Sequence, residues 1–189
     1  MQVLVVAFGH LLPDQFSTAL EYSKQANETL EGMDGFVSST MWQNLRNPDS
    51  MLLLSRYRDI LAAEEGLNRL TEAGVLLQAM DALAMPPEAY RVVVHEHAGK
   101  WPETAPLGSC CSVSMRTADP GYGEDLMMDL SDVFGGMIMM PGFLGNVIGV
   151  NEAMPDQVFG VAFWTDVVAF NSSLPSDLPF EIQVFERAT

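Results

Sequence analysis

The sequence predicts an α+β fold that contains one strand-and-helix unit twice. Residues 35–59 and 142–166 align without a gap and share six identical positions, where average composition would give about one or two by chance. The identical pairs are Gly35 with Gly142, Phe36 with Phe143, Asn44 with Asn151, Pro48 with Pro155, Asp49 with Asp156 and Asp59 with Asp166. In each copy a Gly-led strand, a turn containing Pro-Asp and a second strand form a β-hairpin.

The first half of the chain reads as strand, helix, hairpin, helix and strand. The apolar run VLVVAFG is typical of a buried strand, and Pro13 opens a helix that ends before Gly32. After the hairpin, Asp59 is the predicted N-cap of two helical pieces separated by Gly74. YRVVVHEH then alternates as a strand. The order βαββαβ indicates a ferredoxin-like arrangement, in which helices cover one face of a four-stranded antiparallel sheet.

The second half repeats this order after a linker rich in proline and glycine. SCCSVSM is a strand, Asp119-Pro120 starts a helix, and FEIQVFER is the last strand, preceded by a helix of one or two turns at most. We therefore predict a first repeat over residues 1–98, a linker over 99–108 and a second repeat over 109–189. The two repeats are expected to pack sheet to sheet, because each sheet must bury the face that its helices leave uncovered.

Composition and charge exclude several classes of function. The net charge of −16, with only 9 Lys and Arg, disfavours nucleic acid and anionic membranes as partners. No apolar run approaches the ~20 residues of a membrane-spanning helix, and the N-terminus lacks the basic region of a signal peptide. We expect a soluble cytoplasmic protein with no nucleic-acid partner and no membrane partner.

The cysteines and the known sequence fingerprints indicate neither a metal nor a cofactor. Cys110 and Cys111 are adjacent, so on a strand they point to opposite faces and do not form a disulfide. A buried structural role is favoured over a reactive thiol. No HEXXH, GXSXG, phosphate-binding loop or dinucleotide fingerprint is present. We therefore expect no metal and no cofactor.

Two long segments carry a resemblance to a known family. GMDGFVSSTMWQNLRNPDSMLLLSRYRD and MMPGFLGNVIGVNEAMPDQVFGVAFWTD share a Gly-Phe opening, a long hairpin, and an aromatic residue and Asp where the next helix starts. On these motifs the chain resembles antibiotic biosynthesis monooxygenase-like domains of the dimeric α+β barrel superfamily. The resemblance implies two ferredoxin-like sheets closing a barrel, here as an intrachain pseudo-dimer, with further homo-oligomers left open. It also implies oxygenation of a small apolar or aromatic molecule without a cofactor.

Strand alternation divides the side chains between two sheet faces. The more apolar sets are expected to pack on the helices: Leu4, Val6, Phe8, Leu52, Leu54, Val92, Val94, Cys111, Val113, Met115, Phe159, Val161, Phe163, Ile182 and Val184. Small, polar and aromatic residues then line the opposite face, a composition typical of a cavity. This face is predicted to carry Ser55, Tyr57, His95, His97, Ser112, Ser114, Ala162, Trp164, Gln183 and Phe185.

The titratable members of this set are the predicted catalytic residues Tyr57, His95 and His97. A neutral imidazole can take a proton from a phenolic substrate, and a tyrosine hydroxyl can orient the resulting oxyanion. The alternative is that these three residues lie at strand ends with their polar tips in water. The predicted substrate-binding residues are Ser112, Ser114, Trp164, Gln183 and Phe185.

Trp164 stands where haem-degrading members of the superfamily carry a cavity tryptophan. Those members also carry an asparagine on the first strand and a histidine on the following helix. Here the first strand of the second repeat offers Ser112, Ser114 and Met115, and no histidine follows Trp164. Haem degradation is therefore not expected, and a packing role for Trp164 is the alternative.

The resemblance and the residues together predict a cofactor-independent monooxygenase that acts on a small apolar or aromatic compound in the interior. The alternative is a non-catalytic protein of the same fold that binds a hydrophobic ligand or a partner. Because the cavity residues differ between the repeats, one asymmetric site is favoured over two equal ones.

Overall fold

The computed structural model describes residues 1–174 and 182–189 and confirms the α+β fold class predicted from the sequence. The first repeat contains β1 (Val3–His10), α1 (Phe16–Leu30), β2 (Phe36–Asn44), β3 (Ser50–Tyr57), α2 (Ile60–Glu72), α3 (Val75–Met80) and β4 (Glu88–Gly99). The linker contains a short 3-10 helix, Pro102–Thr104. The second repeat contains β5 (Cys110–Thr117), α4 (Gly123–Met137), β6 (Phe143–Asn151), β7 (Met154–Trp164), α5 (Val167–Ser173) and β8 (Gln183–Arg187).

The chain forms two compact units whose limits differ from those of the sequence repeats. The first unit comprises residues 1–91 with 188–189, and the second comprises residues 92–187. The difference arises because β4, the last strand of the first repeat, pairs with β6 from Val92 to Gly99. The repeat boundaries read from the sequence stay a prediction about the duplication.

The first unit contains an antiparallel sheet in the order β1, β3, β2. Val3 lies opposite Tyr57 on β3, and Phe36 lies opposite the same tyrosine from the other side. The last two residues of the chain also belong to this unit. The backbone N–H groups of Ala188 and Thr189 donate to the Met41 carbonyl, at 2.9 and 3.3 Å.

The second unit contains a five-stranded antiparallel sheet in the order β8, β5, β7, β6, β4. Three register shifts interrupt it. One lies near the turn between β6 and β7, where Val150 pairs with Val158 but Asn151 pairs with Met154. The other two are bulges, on β6 between Phe143 and Gly145 and on β4 between Val94 and Glu96. The extra residues at these bulges are Leu144 and His95. A bulge re-aims the side chains that follow it, so the bulge on β6 sets the direction of the side chains further along that strand.

Most helix ends follow the sequence signals. The Asp59 carboxylate accepts a hydrogen bond from the Ala62 N–H at 2.9 Å, as expected for an N-cap, and Asp166 accepts one from Ala169 at 2.8 Å. Gly74 has a φ of 74° and separates α2 from α3. The helix predicted from Pro13 begins later, at Phe16. The reason is that Asp14 has a φ of 63°, which no α-helical residue adopts.

The second repeat also follows its sequence signals at α5 and β8. Helix α5 has seven residues, which agrees with the predicted one or two turns. The first two residues of the predicted strand FEIQVFER lie outside the described residues. No helix within residues 1–174 and 182–189 is long and apolar enough to cross a membrane.

The predicted assignment of sheet faces is wrong for most strands. In the second unit the helices cover Cys110, Ile148, Val158, Ala162 and Trp164, which pack with Leu130 and Phe134 of α4. In the first unit Val3, Val5 and Tyr57 pack with Leu30 of α1 and with Ala62 and Ala63 of α2, while Met51 and Leu53 pack with Ala19. The sets predicted to face the helices, such as Leu4 with Val6 and Phe159 with Val161, therefore lie on the other face. Strand β8 agrees, because Ile182 and Val184 do face the helices, and β4 agrees beyond its bulge, where His97 faces away from them.

The inversion arises because both faces of these strands are buried. Phe159, Val161 and Phe163 are each at most 1% exposed. Ala162 and Trp164, which face the opposite way on the same strand, are also at most 1% exposed. Apolar character then no longer distinguishes the faces, because a strand buried on both sides reads as a continuous apolar run. In the second unit, the small and polar residues Ser112, Asn146 and Ala162 are found under the helices.

We predict that Gly142→Ala destabilises the protein more than Gly108→Ala, although both glycines have a φ of 81°. A β-carbon at Gly142 would overlap the Ala169 methyl of α5, whereas at Gly108 nothing lies within 4 Å. Gly108→Ala should cost only the left-handed backbone term, about 1–2 kcal/mol. Gly142→Ala should add overpacking of about 1–3 kcal/mol. Urea unfolding measures both, and equal losses would contradict the close packing of α5 on the hairpin.

Candidate functional site

The small and polar residues under the helices of the second unit define a helix-facing site. Its members are Cys110, Ser112, Asn146, Ala162 and Trp164. Asn146 and Ser112 lie opposite Ala162 from the two neighbouring strands, and Trp164 lies opposite Cys110. Residues two apart on a strand share a face, so Trp164 and Cys110 stand next to the row formed by Asn146, Ala162 and Ser112.

Packing at the start of α5 positions Trp164. Its indole ring contacts Phe143 and Phe170 edge to face, with centroid distances of 5.1 and 6.2 Å. Trp164 is 1% exposed, and its Nε1 has no hydrogen-bond partner among residues 1–174 and 182–189. A buried N–H without a partner costs about 1–3 kcal/mol. The indole N–H is therefore a candidate donor of this site.

Asn146 presents two further polar atoms at the same site. It is 1% exposed, and neither Oδ1 nor Nδ2 has a partner in the described part of the chain. It follows the bulge at Leu144 and lies on β6 beside Ala162. Most buried polar side chains in proteins are hydrogen-bonded, so a side chain with both ends unsatisfied needs an explanation.

The electrostatic environment of the site favours neutral species. Burial, with smaller contributions from Asp166 and Glu186, raises the pKa of the Cys110 thiol to about 12. Burial raises the pKa of Cys111 as well, and both thiols are free. Cys110 therefore stays protonated at neutral pH, and the nearby carboxylates disfavour a bound anion. Ser112 is only half-buried, so water reaches the row from that side.

At the equivalent positions in the first unit, the polar side chains are paired with each other. In the gapless alignment of residues 35–59 with 142–166, Asn146 corresponds to Ser39, Ala162 to Ser55 and Trp164 to Tyr57. The Ser39 and Ser55 hydroxyls hydrogen-bond to each other at 2.7 Å, which pairs the polar atoms of this unit. The two units thus share the same arrangement of strands. They differ in whether the polar side chains at these positions have hydrogen-bond partners among the described residues.

The sequence predicted that Tyr57 faces away from the helices, but the structure places it on the helix-covered face. It is 4% exposed and packs with Phe36, at a centroid distance of 5.5 Å, under the start of α2. A β-carbon at Gly66 of α2 would meet its ring at 2.8 Å. Burial raises the pKa of Tyr57 to about 12. The phenol therefore stays neutral at physiological pH, and packing accounts for its position.

The two predicted catalytic histidines lie on β4 in the second unit, apart from Tyr57 in the first. His95 occupies the bulge on β4 and is exposed. His97 lies opposite Val147 on the face away from the helices, as predicted. Its ring stacks on Trp101 at 3.8 Å with an interplanar angle of 8°. Tyr57 thus belongs to the first unit and the histidines to the second, and the catalytic role assigned to them stays a prediction.

The predicted substrate-binding residues divide between the two faces. Ser112, Ser114 and Trp164 come together on the helix-covered face of the second unit. Gln183 and Phe185 lie on the opposite face of β8, Gln183 exposed and Phe185 buried.

Asn146 was not among the site residues predicted from the sequence. The signal was available, because Asn146 is a polar residue inside the otherwise apolar strand FLGNVIGV. A metal is not indicated by geometry: no group of three or more His, Cys, Asp or Glu able to hold an ion occurs within residues 1–174 and 182–189.

Residues 1–68 match the family model of the antibiotic biosynthesis monooxygenases. This confirms the resemblance predicted from the sequence for most of the first unit, and the match ends before the second repeat. No curated protein matches the sequence.

Solved structures share the fold over the whole chain. A candidate monooxygenase from Fusobacterium nucleatum is 9% identical with a TM-score of 0.78, covering 98% of this chain and 92% of that one. A candidate monooxygenase from Lactobacillus acidophilus is 8% identical with a TM-score of 0.74, covering 98% and 93%. An anthrone oxidase-like protein is 11% identical with a TM-score of 0.72, covering 100% and 92%. The TM-scores establish a common fold, and at identities of 8–11% the likeness extends to the fold alone.

We predict that Tyr57→Phe makes the protein less sensitive to alkaline pH. The pKa of Tyr57 is about 12 in the folded chain and about 10 in an unfolded one, so the unfolded state loses its proton first as pH rises. The contribution of the neutral phenol to stability is complete below about pH 10 and is lost between about pH 10 and 12. The substitution should recover about 2–3 kcal/mol of that loss in urea unfolding.

The control for this prediction is Tyr122→Phe, because Tyr122 is 60% exposed. That variant should lose stability between pH 10 and 12 as the parent does. Parallel curves for the parent and Tyr57→Phe would contradict the burial of Tyr57.

Proposed function

We propose that the helix-facing site of the second unit binds a small neutral aromatic compound and oxygenates it without a cofactor. The observation that carries this proposal is the Trp164 indole N–H, which is buried, held by Phe143 and Phe170, and without a partner in the described residues. The family match and the shared fold support a monooxygenase-like or ligand-binding function. The helix-facing site is the location that we propose for that function.

Two donors at the site can stabilise a developing oxyanion against the opposing charge of Asp166 and Glu186. Trp164 Nε1 and Asn146 Nδ2 are donors that a substrate oxygen can use. Donors fixed in a buried environment stabilise negative charge strongly in the transition state, because they need no reorganisation there. A planar ring system with a carbonyl group fits this arrangement, since aromatic side chains line it.

The proposed reaction is oxidation of a methylene group activated by that carbonyl. The proton leaves to water, because the Cys110 thiol, with its pKa of about 12, is already protonated and cannot act as a base at neutral pH. The two donors hold the enolate oxygen while the enolate carbon reduces O₂ and bonds to it. The resulting peroxide anion takes a proton back from water, and the hydroperoxide so formed loses water to give a ketone. The substrate supplies all the electrons, one oxygen atom enters the product, and the other leaves as water.

Binding without chemistry is the second candidate function. The observation that favours it is the same protonated Cys110, which leaves proton removal to solvent. A binding protein would use Trp164, Phe143 and Phe170 for stacking and the free donors for orientation. The two functions differ in one measurable respect, the consumption of oxygen.

We predict that the protein consumes one O₂ per molecule of anthrone and that Trp164→Phe lowers kcat/KM by about 10²–10³. Phenylalanine keeps the aromatic packing but removes the donor. Anthrone is the probe because one structure of the same fold is an anthrone oxidase-like protein. An oxygen electrode gives the uptake, and the quinone absorbance gives the product.

The matched control is Trp42→Phe. Trp42 is also fully buried, but its Nε1 donates to Thr40 Oγ1 at 2.9 Å in the first unit. This variant should lose stability and keep its rate constants. Saturable binding of anthrone without oxygen uptake would support the binding function instead, and an unchanged rate in Trp164→Phe would remove the site from the reaction.

A further inference from the structure

Asn146 is unusual because both ends of its buried amide lack partners among the residues that the structure describes. Its donor and its acceptor are both unsatisfied in the described residues, at 1% exposure on an inner strand of the sheet. An unpaired buried polar group destabilises the unliganded chain. Both atoms belong to one rigid amide, so one molecule that carries the complementary pair can satisfy them together.

Two positions in the same chain show that this fold can pair such groups. Asn151, also on β6, donates from Nδ2 to Gln157 Oε1 at 2.7 Å and accepts at Oδ1 from the Ala153 N–H at 3.1 Å. Ser39, the repeat equivalent of Asn146, bonds to Ser55 at 2.7 Å. At Asn146 the facing residue is Ala162, which offers no polar atom.

We propose that Asn146 determines the specificity of the helix-facing site and selects a flat, neutral ligand with an N–H donor beside a carbonyl, as in an aromatic lactam. The ligand N–H donates to Asn146 Oδ1, and its carbonyl accepts from Asn146 Nδ2. The same side chain pairs in this bidentate way with a donor and acceptor on one edge of adenine. The inference rests on the proposed function for the location of the site and not on its oxidation chemistry.

Other ligand types satisfy only one end of the amide. A carboxylate accepts from Nδ2 but has no donor for Oδ1 and places its negative charge beside that oxygen. A cation donates to Oδ1 and offers nothing to Nδ2. A neutral lactam satisfies both atoms, and its ring can pack beside Trp164.

Calorimetric titration with 2-quinolone and 1-methyl-2-quinolone tests this proposal. The two probes share the ring and the carbonyl, and the methyl group removes the donor. We expect 2-quinolone to bind about 10- to 100-fold more tightly, the range of one bidentate pair. The preference should disappear in Asn146→Leu, which has neither polar atom.

Asn151→Leu is the matched control, because Asn151 is buried on the same strand and fully paired. It should lower Tm and keep the preference for 2-quinolone. Asn146→Leu should raise Tm of the unliganded protein, because it removes an unsatisfied amide. If the leucine variant does not fold, Asn146→Ser, the residue of the first unit, takes its place.

A measurement on the parent protein makes the test independent of any variant. The side-chain amide signals of Asn146 in a ¹⁵N–¹H spectrum should shift when 2-quinolone binds and stay in place with the methylated probe. Equal affinity for the two probes, a preference that survives Asn146→Leu, or unmoved amide signals would overturn the proposal. Absence of oxygen uptake with anthrone would instead overturn the oxygenase and leave this inference standing.

Discussion

The close approach of a helix to a glycine at the start of each hairpin is the constraint on which both units depend. Gly35 and Gly142 have positive φ angles, and a β-carbon on either would overlap an alanine methyl, of Ala62 in α2 or of Ala169 in α5. An aspartate caps each of these helices three residues before that alanine. Glycine, cap and alanine together fix where the helix lies over the sheet, and so which aromatic side chain it covers.

Much of the fold could be predicted because its signals are local. The aligned hairpins, the cap at Asp59 and the break at Gly74 each depend on neighbouring residues, and each was found where expected. The start of α1 was missed because a positive φ at Asp14 leaves no mark in an apolar pattern. Helix and strand order thus followed from sequence, and the exact first residue did not.

The candidate site could be predicted only in part, because its position depends on which sheet face the helices cover. The alternation of side chains along a strand separates two faces. It identifies the helix-covered face only when the other face is exposed to water. Here the adjacent residues Phe163 and Trp164 are both buried, so the helix-covered face and the opposite face were assigned in reverse. Trp164 and Ser112 were named for their chemistry, which does not depend on the face, whereas Asn146 required the register of β6 and its bulge.

The difference between the hydroxyl pair of Ser39 with Ser55 and the unpaired Asn146 beside Ala162 has a genetic consequence. In a protein encoded by one unduplicated gene, every substitution appears in all copies of the subunit at once, so stability and binding compete at the same codon. Once the gene carries the repeat twice, the two codons mutate separately. One copy can then keep the stabilising pair while the other loses it, and the cost of an unsatisfied polar group is borne once per chain.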